Sequence, residues 1–198
     1  MQLDIDVQLH YRLEEPTDIL MQIEIADLPD QQLLSSNLEL GKYEHFARVL
    51  AQEGLGDRIL LRMNDAFKCH YTARVSVDRP ALKLANLKAV PPHLLPGDTI
   101  RYLMPSRYCP AIEFQSFAAT EFGEFEGGAR IAIMQDWITE KVRYVSGSSN
   151  GQTTAFDTFV QRQGVCRDFA HLMITLSRAS DIPARFASVY APGVAPPD

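Results

Sequence analysis

The stretch Gly164-Val165-Cys166-Arg167-Asp168-Phe169-Ala170-His171-Leu172 carries the reading of the second half of the chain. Beyond it Met173, Ile174 and Leu176 continue an apolar pattern. The pattern predicts a helix from about Val165 to Ala179, buried on most sides, with one polar stripe through Arg167, His171, Thr175 and Arg178. Asp181-Ile182-Pro183 breaks it, and Ala184 to Tyr190 reads as a strand. Cys166 then falls in the first turn, where backbone N–H groups lack acceptors and the helix dipole is positive. Both favour thiolate over thiol. Gly164 lets the chain turn tightly and leaves room beside the sulfur, and a mostly buried helix holds its first turn rigidly.

Working outward, Thr153 or Thr154 is placed to cap a short helix holding Phe156, Phe159 and Val160, which Gly164 ends. Ser146 to Gly151 is a polar loop, and Ala129 to Tyr144 sets Ile131, Met134, Ile138 and Val142 at helical spacing around Trp137. Residues 80 to 110 form a connector rich in proline, with Pro91-Pro92, Pro96-Gly97, Pro105 and Pro110. Before it the period changes to two. Leu3 to Tyr11 alternates apolar and polar residues, Met21, Ile23 and Ile25 repeat the pattern, and Phe67 to Val77 gives it most clearly. Ile59 to Met63 and the turn Asn64-Asp65-Ala66 predict a hairpin with that last strand. The reading is α+β: an antiparallel β-sandwich-like domain over residues 1–108, then a partly helical domain over 109–198.

Composition narrows the function. With 46% hydrophobic and 22% charged residues in a chain of 198, the sequence has the balance of a globular protein. The net charge of −6 and the scattering of the 19 lysines and arginines argue against a nucleic-acid partner. No apolar run is long enough to span a membrane, and the alternating acidic start Met1-Gln2-Leu3-Asp4-Ile5-Asp6 is unlike a secretory signal, so a cytoplasmic location is expected. The cysteines Cys69, Cys109 and Cys166 show no C-x-x-C spacing, which argues against a zinc site or a disulfide framework. Cys69 falls on the apolar face of a strand and Cys109 in the connector, both read as core or incidental thiols.

The segment Gly164 to Leu172, followed by Leu176-Ser177-Arg178-Ala179 and Ile182-Pro183-Ala184-Arg185, resembles the transglutaminase-like family pattern G-x-C-x-x-[FY]-A-x-L, L-x-R and G-I-P-A-R. The strand-rich first half and Pro105-Ser106-Arg107-Tyr108-Cys109 are similar to the domain that precedes this module in bacterial members. Asp181 stands where the family usually has glycine, in a left-handed position that aspartate can reach. The resemblance implies the helical half of a papain-like core, Cys166 as catalytic nucleophile, and thiol acyl chemistry on a protein or peptide amide with no metal or organic cofactor. Proteolysis, amide hydrolysis and cross-linking all remain open, depending on which acceptor resolves the thioester.

A thiolate of this kind works with an imidazole. His171 lies five residues on, about 7.5 Å of rise and roughly 140° of rotation along a helix, and so faces away from Cys166. It is read as part of the polar stripe, and His10, His45, His70 and His93 as solvated. The resemblance implies a triad histidine and aspartate in a [DN]-aromatic-His-Ala motif and later, which would begin near Asp198. This chain is therefore expected to be inactive alone, with its last strand, Ala184 to Tyr190, left to pair with the first domain, a second copy or a ligand segment. The Cys166 N–H is one expected oxyanion donor, with a side chain between Tyr144 and Gln152 as the other. A competing reading is a non-catalytic binding or assembly module that keeps the scaffold.

Overall fold

The computed structural model describes residues 1–51 and 54–191, and its contacts divide the chain into two units, Met1–Ala81 and Leu82–Asp198. The first is built from β1 (Gln2–Arg12), β2 (Thr17–Met21), β3 (Gln31–Leu40), β4 (His45–Leu50), β5 (Asp57–Met63) and β6 (Ala66–Val77). They form two antiparallel sheets in the orders β1-β6-β3 and β2-β5-β4. The alternation in β6 does what period two predicts. Phe67, Cys69, Tyr71, Ala73 and Val75 are buried, and Lys68 and Arg74 are exposed. Residues of both sheets share one core, in which Phe67 and Cys69 of β6 lie with Ile59, Leu61 and Met63 of β5. Tyr71, fully buried, satisfies its hydroxyl by accepting the Ile25 N–H at 3.0 Å.

The predicted hairpin does not form. β5 pairs with β2 and β4, while β6 pairs with β1 and β3, so the turn at Asn64-Asp65 passes the chain from one sheet to the other. Asp65 takes the left-handed conformation there, at φ 62°. Both strands bury their apolar face in the shared core, an outcome that local alternation cannot tell from a hairpin. The strand at Met21 to Ile25 is also displaced: β2 ends at Met21.

The second unit holds α1 (Gln115–Phe122), α2 (Gly127–Lys141), β7 (Arg143–Tyr144), α3 (Ala155–Gln161), β8 (Gln163–Gly164) and α4 (Cys166–Ala179). β7 and β8 pair in parallel. The core gathers Phe114, Phe122, Met134, Ile138, Leu172 and Leu176. Sequence periodicity missed α1. The domain boundary read at 108 falls inside this unit, because the connector is built into it. Its first 3-10 turn, Leu84–Asn86, sits against the start of α2, where Gly128 N–H donates to Leu87 O at 2.8 Å. A Cβ on Gly128 would lie 1.8 Å from Leu84 O, so only glycine allows the approach. Among the described residues no helix is long and apolar enough to cross a membrane.

The two neighbours Ile59 and Leu60 test the sheet assignment, being 0% and 42% exposed. Ile59→Ala is expected to cost about 2–5 kcal/mol in a denaturant melt, and Leu60→Ala no more than about 0.5 kcal/mol. Equal costs would contradict the assigned register.

Candidate active site

The site is built around the first turn of α4. Val165 is the N-cap in extended conformation, and its carbonyl accepts the N–H groups of Asp168 at 2.9 Å and Phe169 at 3.1 Å. Asp168, at the third helical position, turns its carboxylate back to accept the Val165 N–H at 2.8 Å. Half of a capping box is thus made by an acid, which also suits the positive end of the helix. The Asp168 side chain is fully buried, and Arg167 lies beside it at 3.4 Å. Gly164 is glycine for a reason the sequence did not give. A Cβ there would come within 2.7 Å of Asp168 Cβ and 3.1 Å of its Oδ2.

Cys166 opens this helix and is exposed, whereas Cys69 and Cys109 are buried, each 4% exposed. Burial pushes the Cys69 thiol above its ordinary pKa. Among the described residues no histidine hydrogen-bonds to the Cys166 thiol.

The loop before α3 is fastened at several points. Val145 N–H donates to Gly164 O at 3.0 Å. Arg167 donates to Ser149 Oγ at 3.1 Å and to Asn150 O at 2.9 Å. Tyr108 Oη donates to Gly151 O at 2.9 Å, and the Tyr108 carbonyl accepts Ala155 N–H at 2.9 Å. Thr154 is the cap of α3, in a full capping box. Asp157 N–H donates to its hydroxyl at 3.3 Å, and the Asp157 carboxylate accepts Thr154 N–H at 2.8 Å. The Thr154 hydroxyl also donates to that carboxylate and holds it below the usual aspartate range. α3 ends at Gln161, not at Gly164. Arg162 takes the left-handed turn, φ 56°, with its guanidinium over Phe159 and Trp137 at 4.2 and 4.7 Å.

At its other end α4 closes in a Schellman motif. Asp181 N–H donates to Arg178 O at 3.2 Å, Ile182 N–H donates to Ser177 O at 2.9 Å, and Asp181 sits at φ 58°. The left-handed aspartate foreseen from the sequence is therefore present. The strand foreseen after it is not: among the described residues, Ala184 to Tyr190 enters no ladder. Ala184 is held instead by its own N–H, donated to Tyr102 O at 3.1 Å, and by Arg178, whose Nε and Nη2 donate to Ala184 O at 2.9 and 2.7 Å.

The polar stripe of α4 also turned inward. Thr175 is fully buried, its hydroxyl donating to His171 O at 2.8 Å. His171 stacks on Tyr108 at 5.2 Å and packs against Phe186 at 5.6 Å, with Nδ1 buried and unpartnered among the described residues. His171, read from the sequence as part of the polar stripe, is half-buried between two rings.

These positions can now be set beside known proteins. A model of the transglutaminase-like superfamily matches residues 118–196, which take in α2, α3 and α4 with Cys166. The crystal structure of a candidate cysteine protease from Cytophaga hutchinsonii is similar over 100% of this chain and 70% of its own, with a TM-score of 0.92 and 36% identity. The chain belongs to the transglutaminase-like superfamily. An uncharacterized protein of Mycobacterium leprae (strain TN) is 37% identical over 54 residues, 27% of this chain and 19% of that protein. The match therefore takes in under a fifth of that relative's length.

For this transglutaminase-like chain, the sequence pointed to Cys166 but not to the residues that hold its turn. Asp168 carried a usable signal, an acid three residues after a helix start. Tyr108 and Arg167 carried none, because their partners are mostly backbone carbonyls remote in sequence. Among the described residues no three His, Cys, Asp or Glu side chains converge to hold a metal.

Two outcomes follow from this geometry. Burial first, and the Arg167 charge second, hold His171 below the ordinary histidine pKa, against the pull of Asp168. The fold thus favours neutral imidazole, whereas the unfolded chain takes up its proton at the ordinary histidine value of about 6.5. Stability is full above that pH and falls as the pH drops toward the lower folded value. His171→Phe, which keeps a ring in the stack, should therefore lose less stability than the parent between about pH 7.5 and 5 in urea melts. An equal loss would refute the coupling. Separately, Gly164→Ala should cost about 1–3 kcal/mol, since the backbone or Asp168 must move to admit the methyl group. A melt unchanged from the parent would mean that the approach to Asp168 is slack.

Proposed function

We propose that Cys166 is the nucleophile of a thiol enzyme that transfers or hydrolyses an acyl group from a protein or peptide amide. The observation that carries this reading is that the one exposed thiol among the three opens α4, inside the segment matched by the transglutaminase-like family model. A first-turn sulfur meets unpaired N–H groups and the positive end of the helix dipole, which stabilise the thiolate. The sulfur attacks the amide carbonyl, and in this reading the Cys166 N–H donates to the oxyanion. The C–N bond breaks and the amine or ammonia leaves with a proton taken up from solvent; water or a second amine then attacks the thioester, gives a proton back to solvent and frees the thiolate. The solved relative from Cytophaga hutchinsonii, named as a candidate cysteine protease, supports a thiol enzyme of this general kind.

The second part of the proposal is that the 198-residue chain turns over at background. His171 is occupied in a ring stack, and among the described residues no histidine hydrogen-bonds to the Cys166 thiol. A thiolate without an imidazole to move the proton loses several orders of magnitude in rate. Iodoacetamide labelling between about pH 5 and 9, read by peptide mapping, should modify Cys166 before Cys69 and Cys109. Faster labelling of either buried thiol at about pH 6 overturns the nucleophile assignment. Ammonia release from a glutamine peptide should stay at background for this chain, and Cys166-dependent turnover would overturn the second part.

A further inference from the structure

The loop from Val145 to Thr154 is bound to both sides of the residue that carries the exposed thiol. Before Cys166, Gly164 O accepts the Val145 N–H at 3.0 Å, where β7 runs into the loop. After it, the Arg167 guanidinium donates to Ser149 Oγ at 3.1 Å and Asn150 O at 2.9 Å, in the middle of the loop. The same guanidinium nitrogen lies 3.4 Å from the buried Asp168 carboxylate, which itself holds the Val165 N–H. Arg167 is therefore clamped from below by the group that sets the first turn of α4 and reaches out to the loop from there.

The loop has further internal order that depends on where Asn150 sits. Its side-chain carbonyl accepts the Gln152 N–H at 2.8 Å, its backbone carbonyl accepts the Thr153 N–H at 3.1 Å, and its own N–H donates to Thr153 Oγ1 at 3.0 Å. Tyr108 takes the next residue, through Gly151 O at 2.9 Å. A shift of Asn150 would thus move a short hydrogen-bonded unit as a whole.

We infer that Arg167 is a positioning residue for acyl chemistry at Cys166: it fixes loop 145–151 against the first turn of α4, so that the polar groups of the loop stand at a set place beside the carbonyl under attack. The inference rests on the reading of Cys166 as nucleophile and deepens it. Its content is geometric. Arg167 does not touch the reacting atoms. It determines where the wall beside them stands, and displacements on the order of 1 Å in such a wall cost up to about a hundredfold in rate.

The effect separates from simple thiol reactivity because two reagents ask different things of the site. p-Nitrophenyl acetate reacts by attack of the sulfur on the ester carbonyl. The C–S bond forms through a tetrahedral oxyanion, the C–O bond breaks and p-nitrophenolate departs, leaving one acetyl thioester. Iodoacetamide reacts by displacement at a saturated carbon, with iodide leaving and no oxyanion at any stage. Neither reaction needs a histidine. Both consume the thiolate, so the ratio of their rate constants cancels any change in thiolate fraction caused by losing the Arg167 charge.

The experiment measures single-turnover acylation and alkylation, with peptide mapping, on the full 198-residue chain and on Arg167→Met and Arg167→Lys. The ratio of acylation to alkylation is expected to fall about tenfold or more in Arg167→Met. A smaller fall is expected in Arg167→Lys, which keeps the charge but loses the planar fork. A ratio unchanged in both variants overturns the inference, whether the individual rates hold or drop together. Faster labelling of Cys69 or Cys109 than of Cys166 in the parent chain overturns the nucleophile reading, and the inference with it. If Arg167→Met fails to fold, Arg167→Lys alone decides between a lowered and an unchanged ratio.

Discussion

The start of α4 depends on one hydrogen bond, from the Val165 N–H to the buried carboxylate of Asp168. A carboxylate taken out of water is tolerable only when its oxygens are matched by donors. Here one oxygen has the Val165 N–H and the other faces the Arg167 guanidinium. That requirement ties four consecutive features together. The N-cap conformation is fixed, Gly164 has no room for a side chain, Arg167 is drawn alongside, and Cys166 is left outward between them. Exchanging Asp168 for a residue of another shape would disturb all four, although Asp168 itself reaches no solvent.

From that point the structure extends through side chains bound to backbone more than to one another. Arg167 holds carbonyl and hydroxyl oxygens of the loop, Tyr108 holds Gly151 and Ala155, and Arg178 holds Met104 and Ala184. Tyr108 and Met104 come from the proline-rich stretch that looks like a linker in the sequence. The stretch is part of the second unit because its carbonyls and its tyrosine complete hydrogen bonds that α3 and α4 leave open. Prolines suit such a role: they supply acceptors without donors and fix the backbone at little entropic cost.

Much of the fold was legible where burial is one-sided. β1, β5, β6, α2 and α4 carry clean periods because one face of each meets a core. β3 was missed because its pairing slips between Leu33 and Ser35, so the apolar phase breaks at Leu34. β4 was missed because its run alternates onto Arg48, which pairs with Glu24 instead of filling a core. α1, at eight residues, has no marked polar face to reveal it. The site was legible as a cysteine at a helix start, and that came partly from a pattern resembling a family. Its supporting contacts were not. Whether two strands joined by a tight turn pair with each other, or whether a histidine on a polar stripe lies in water or between rings, is decided by partners tens of residues away.

The sole tryptophan of the chain, Trp137, lies in the second unit, stacked on Phe159 at 5.7 Å and edge-on to Phe117 at 5.3 Å, with Arg162 above it. A guanidinium against an indole, and rings packed around it, change its emission when they separate. Excited apart from the tyrosines, three of which (Tyr11, Tyr43 and Tyr71) lie in the first unit, the tryptophan emission is consequently a private signal of the helical unit, silent about the six strands that precede it. Backbone dichroism sums both. The two signals together follow the two units separately, with no label added and no residue changed.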